Sequence, residues 1–192
     1  MQRREEGNAR ISLTIMGQIL LVFILISCFT IYLTLFRKDY FDKMRSTAML
    51  YALIIIFVVI ASMMVKNNIL HVYILPFAMV PIFIRVFMDS RTAFMAHSIM
   101  ILICASILQY PLEFIAVELV AGLVAIFSLR ELSSRSQLFW TAVFVTFAAG
   151  LTNLALDWIR NNDLTKISYS EYNYIAINGI LLFCSYPLLY LI

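Results

Sequence analysis

Apolar positions in this chain come in long runs separated by brief polar punctuation. Seven runs stand out: Ile11–Phe36, Thr47–Val65, Ile69–Met88, Thr92–Gln109, Phe114–Leu129, Gln137–Trp158 and Tyr174–Ile192. A helix rises about 1.5 Å per residue, so ~20 apolar residues cross a hydrocarbon core of ~30 Å. Lipid offers no partner for backbone N–H and C=O groups, and the runs lack the alternation of barrel strands. Each run therefore predicts a transmembrane helix. The connections 66–68, 89–91 and 110–113 are short, which forces neighbours to be antiparallel. The expected fold is all-α: a seven-helix up-down bundle over residues 11–192, preceded by a polar tail over 1–10. The first run is too long for a signal-peptide core and lacks a small-residue cleavage site, so it is read as an anchor. The longest connection, from about Ile159 to Asn173, is too small to be a domain.

Composition removes the competing classes. Of 192 residues, 63% are apolar and 13% charged, against about 45–50% and about 25% in soluble domains. A water-soluble globule and a disordered chain are both excluded. Cys28, Cys104 and Cys184 all sit in apolar runs without CxxC spacing, so they read as buried small hydrophobes. The distribution of Lys and Arg sets the orientation. One side collects eight: Arg37, Lys38, Lys43, Arg45, Arg85, Arg91, Arg130 and Arg135. The other collects six: Lys66, Arg160 and Lys166, with Arg3, Arg4 and Arg10 of the tail. The expectation is an N-terminus outside and a C-terminus in the cytoplasm. The last run ends at Ile192 without a polar flank, which reads as a membrane region cut from a longer protein.

Ionisable groups inside a membrane are costly, so each is a candidate for function. Arg85 lies four residues before Asp89, within i,i+4 reach, or snorkels to the interface. Arg85, Asp89, Arg91 and His97 form a candidate cluster at the cytoplasmic face, facing headgroups or a following domain. Glu118, His71 and Asp157 form a second candidate cluster toward the outer face. That cluster is either a buried hydrogen-bonded set or a proton-linked or ligand site. Pro76 and Pro81 each remove an N–H and are expected to bend or break the third helix, and Pro187 to kink the seventh. Gly122 with Ala121 and Ala125, and Ala148–Gly150 with Asn153, mark close helix contacts. Trp140 and Trp158 fit an aromatic belt. Other chemistry is missing from the sequence. The seventh run has no lysine for a retinal Schiff base, and His71 and His97 fall toward opposite faces, too far apart to share a haem iron. There is no HExxH, GxSxG, P-loop or His-Asp pair. No extended basic surface suggests nucleic acid. No catalytic, cofactor or metal residue is assigned in this chain.

One stretch carries a specific resemblance. Leu75–Phe94 reads LPFAMVPIFIRVFMDSRTAF, Phe114–Arg130 reads FIAVELVAGLVAIFSLR, and Ser134–Ser136 follows with Arg135 at its centre. Ala176–Gly179 and Tyr186–Leu188 close the pattern. In order and spacing this resembles the membrane region of the bacterial seven-transmembrane HD receptor family. The resemblance implies a parent with an extracytoplasmic domain and a cytoplasmic HD hydrolase domain that binds divalent metal and hydrolyses cyclic-di-AMP. Neither domain lies within these residues, so the chain itself is expected to be a signalling and anchoring module, not an enzyme. The partners implied are the bilayer, the parent's own two domains and a second copy in a homodimer. A ligand-binding or transporter-like bundle and a purely structural anchor are the alternatives. The proline-broken helix and the Asp89–Arg91 turn are the expected moving part, with Arg130 and Arg135 on the same face.

Overall fold

The computed structural model describes residues 2–67, 70–129, 135–161 and 169–185, with side chains over 12–67, 70–129, 139–161 and 170–185. Arg130, the 186–188 motif with Pro187, and Lys166 lie outside the described residues, as do the side chains of Arg135 and of the N-terminal tail. Among the described residues the secondary structure is helical throughout: α1 (Gln2–Phe36), α2 (Lys38–Phe41), α3 (Met44–Asn67), a 3-10 turn (Val72–Ile74), α4 (Met79–Phe87), α5 (Ser90–Ala105), α6 (Pro111–Ser128), α7 (Arg135–Asn161) and α8 (Tyr169–Cys184).

The chain divides into two units, Met1–Ala48 and Met49–Ile192. In the first, α1 is a long apolar helix with most side chains of 12–36 facing outward. The basic connection after it holds the extra helix α2. The Thr47 hydroxyl donates to the carbonyls of Tyr40 at 3.0 Å and Phe41 at 3.2 Å, which satisfies the end of that short helix.

In the second unit α6 packs along α5 and α7, α4 packs against α5 and α6, and α8 packs against α7 and the 3-10 turn. The buried positions follow the helical period. α3 buries Leu50, Ile54, Phe57 and Ala61. α6 buries Phe114, Val117, Glu118, Ala121, Gly122, Ala125 and Ile126. α5 is buried on nearly every side and forms the centre. Large apolar groups such as Ile55, Ile56, Phe144, Phe147 and Ile180 face outward. Such an exterior suits lipid, where association rests on close packing and on polar contacts inside. Small residues serve that packing: Gly122 meets His97, and Gly179 meets Thr146.

Four helical stretches among the described residues are long and apolar enough to cross a membrane: Ser12–Phe36, Met44–Asn67, Pro111–Ser128 and Phe139–Asn161. Val72–Phe87 and Ser90–Ala105 are apolar but shorter. The chain is therefore an all-α polytopic protein, with two of its expected spans differing in form. The fourth begins earlier, at Ser90, and ends at Ala105, where the Ser106 hydroxyl takes the Ile103 carbonyl at 2.7 Å and the chain turns. The third is not one helix from Ile69 to Met88. It breaks over Leu75–Ala78 at Pro76. Pro81, by contrast, sits in the first turn of α4, where an N–H has no intrahelical partner to lose, so it starts a helix instead of bending one.

Candidate functional site

The break at Pro76 leaves backbone groups that an α-helix would have paired. The turn repairs part of this locally: Leu75 N–H donates to Val72 O at 3.1 Å, Phe77 N–H to Leu75 O at 2.8 Å and Met79 N–H to Pro76 O at 3.0 Å. The rest comes from α8. The Asn178 side-chain amide donates to Tyr73 O at 2.9 Å and to Leu75 O at 3.0 Å. In a medium without water, such a side chain is what permits an irregular backbone. Aromatic rings hold the same segment from the other sides: Phe77 lies 6.0 Å from Phe57 and 5.2 Å, edge-on, from Phe114. Asn178 is a residue that reasoning on charged groups missed. Its signal was an amide inside an apolar run, directly before Gly179.

One turn deeper, α5 and α6 meet through His97. The ring is fully buried and lies over Gly122. Its Nε2 sits 2.9 Å from the Glu118 carbonyl. A carbonyl only accepts, so Nε2–H is the donor. Nδ1 is buried with no hydrogen-bond partner. The structure thus places His97 level with Glu118 in the middle of the bundle, not with Arg85, Asp89 and Arg91. The reason is that α5 starts at Ser90, which puts His97 two turns inside it. The Glu118 side chain is 3% exposed and lines a cavity of about 10 Å³ together with Ala78, Thr146 and Asn178. That is room for about one water.

Glu118 does not line the cavity that holds His71. His71 lines a different and larger cavity of ≈ 510 Å³, reached from the end of the unit where α3, α5 and α7 finish and α6 and α8 begin. Alternate helix ends meeting there is what an up-down order requires. His71 stacks on Tyr174 at 4.7 Å and on Tyr73 at 5.2 Å. It precedes the apolar stretch Val72–Phe87, and desolvation lowers its pKa below the usual imidazole value, opposed by the Glu171 carboxylate. Glu113, Arg160 and Glu171 share the cavity wall. Arg160 donates to Asp157 at 2.8 Å and to Glu113 at 3.4 Å, and lies 4.0 Å from Glu171. Asp157 is 1% exposed, behind the wall. The outer cluster thus keeps His71 and Asp157 at this end, loses Glu118 to the deeper cavity, and gains Arg160, Glu113 and Glu171.

At the opposite end Asp89 caps α5. Its carboxylate accepts from Arg91 N–H at 3.1 Å, Thr92 N–H at 3.4 Å and the Thr92 hydroxyl at 2.6 Å. Arg85 forms no ion pair with Asp89, because Met88 leaves the helix at φ −137° and ψ −139° and breaks the i,i+4 relation. The Arg85 Nε is buried without a hydrogen-bond partner, and Arg91 is exposed. Removing a carboxylate cap costs about 1 kcal/mol. Asp89→Ala is expected to destabilise the chain in detergent micelles by about that amount, read as a lower thermal midpoint by helical circular dichroism. An unchanged midpoint would contradict the cap.

Among the described residues no group of three or more His, Cys, Asp or Glu is placed to hold a metal ion. The model of the family described as "7TM receptor with intracellular HD hydrolase" matches residues 12–192. The chain belongs to that family, whose name pairs a 7TM receptor region with an HD hydrolase. No match was found among curated proteins or solved structures.

Proposed function

We propose that this chain is the signalling and anchoring module of a larger cyclic-di-AMP phosphodiesterase. It sits in the bacterial inner membrane with its N-terminus outside and its C-terminus inside, and relays an extracytoplasmic state to a cytoplasmic HD domain. The excess of Lys and Arg on one set of loops supports that orientation. Hydrolysis and the divalent metal are assigned to the HD domain.

A relay needs two arrangements of the bundle that the input distinguishes. The observation that carries this reading is the link through Asn178. Val72 and Tyr73 line the large cavity, and the carbonyls of Tyr73 and Leu75 are tied to α8. A change at the cavity therefore reaches α8 by two hydrogen bonds across a segment already broken. The Asp89–Arg91 turn fits a static cap better than a moving part. In the full-length parent in membranes, Asn178→Ala is expected to change the apparent kcat per folded enzyme several-fold. The KM for cyclic-di-AMP should stay put, since the bundle sets the active fraction and not the HD pocket. An unchanged kcat would remove the link from the mechanism.

A further inference from the structure

The cavity beside His71 carries a charge imbalance. Among the described residues, Asp157, Glu113 and Glu171 gather around the guanidinium of Arg160. Arg160 is held closest by Asp157, at 2.8 Å, and its other nitrogen reaches Glu113 at 3.4 Å. Both terminal nitrogens already face carboxylates, which leaves a poor fork for an anionic ligand. Glu113 and Glu171 are held more loosely, at 3.4 and 4.0 Å, and their side chains keep 28% and 22% exposure at the wall. Lys66 is exposed and outside the lining. Burial lowers the His71 pKa, which favours its neutral form.

The rest of the wall is aromatic and aliphatic: Tyr73, Tyr110 and Phe114, with Leu70 and Leu108. Ring faces attract a cation most when it is partly desolvated. A volume of ≈ 510 Å³ is in the range of small-molecule sites, and the carboxylates are not grouped for a bare metal ion. We propose that this cavity binds an organic amine. Its ammonium group is held by Glu113 and Glu171, and its carbon skeleton lies against Tyr73, Tyr110 and Phe114. A soluble amine and the amine headgroup of a lipid share this chemistry. The site is the cavity from which the proposed relay starts, so it deepens that reading; binding is measured on this chain alone and hydrolysis only in the parent, so the two fail separately.

The test is calorimetric titration of spermidine into the whole chain in maltoside micelles, which contain no amine. Saturable binding is expected. Glu113→Gln and Glu171→Gln should each weaken it about 10-fold, the scale of one charge-assisted hydrogen bond. Tyr110→Ala, at a residue already 66% exposed and so dispensable for folding, should weaken it about 3- to 10-fold. Added phosphatidylethanolamine that displaces spermidine assigns the site to a headgroup. Failure to displace it assigns the site to a soluble amine, and both outcomes keep the amine chemistry. Absence of saturable binding, or wild-type affinity in both Gln variants, overturns the proposal.

Discussion

Gly122→Ala is expected to destabilise the bundle by about 3 kcal/mol, although alanine is the better helix former. Two effects oppose each other. Replacing a helical glycine by alanine gains about 1 kcal/mol of propensity. A Cβ at this position, however, would overlap the His97 ring. That ring is fully buried and fixed by its bond to the Glu118 carbonyl. Overpacking costs about 1–3 kcal/mol and sometimes more, and displacing the ring forfeits a buried hydrogen bond worth about 1 kcal/mol with a desolvation penalty on top. The steric side wins. Gly150 is the internal control, since nothing lies within 4 Å of a Cβ there, and Gly150→Ala should be neutral or slightly stabilising. Thermal unfolding of the two variants in the same micelles should move in opposite directions. Adding His97→Ala to Gly122→Ala should restore part of the loss, because the small side chain vacates the space. A Gly122→Ala midpoint at or above wild type would mean that His97 moves aside freely.

That pair shows what the sequence made legible. Gly122, with Ala121 and Ala125, reads as a close helix contact from spacing alone, since only small residues let helices approach. The partner does not, because apolar runs reveal which residues share a helix but not how two helices are rotated against each other. The same blindness explains His97, placed by counting from the wrong helix start, and the separation of Glu118 from His71. The all-α, polytopic character came through well, because it depends on run lengths and short connections, whereas four described stretches rather than seven are long and apolar enough to span. The family resemblance came through too, since it rests on order and spacing. The break at Pro76 was legible for a local reason, the missing N–H. Pro81 was not, because its effect depends on whether it falls inside a helix or at its start. Asn178 was passed over because an amide carries no charge, yet a freed carbonyl in lipid calls for a donor of that kind. Arg160 was counted only for orientation; Asp157 lies three residues before it on α7, but Glu113 and Glu171 come from other helices.

Arg160→Met should cost about 2–3 kcal/mol, more than an ordinary surface ion pair. Exposed pairs contribute about 0–1 kcal/mol, whereas removing one partner of a buried pair costs about 3–5 kcal/mol by stranding the other charge. Arg160 lies between these limits, with a side chain 40% exposed. The residue left behind decides the matter. The Asp157 side chain is only 2% exposed, so its carboxylate would stay in the interior with its 2.8 Å donor gone. Glu113 and Glu171 would lose the cation that offsets their mutual repulsion, and the methionine stem would retain most of the packing of the arginine chain. If the penalty is the stranded charge, a second change that removes that charge must relieve it. The double variant Asp157→Asn with Arg160→Met should therefore recover at least half of the loss. Asp157→Asn alone should cost less than Arg160→Met, since an amide is cheaper to bury than a carboxylate. A double-mutant cycle on unfolding free energies in micelles measures the coupling directly. A coupling near zero would place this cluster with ordinary surface ion pairs.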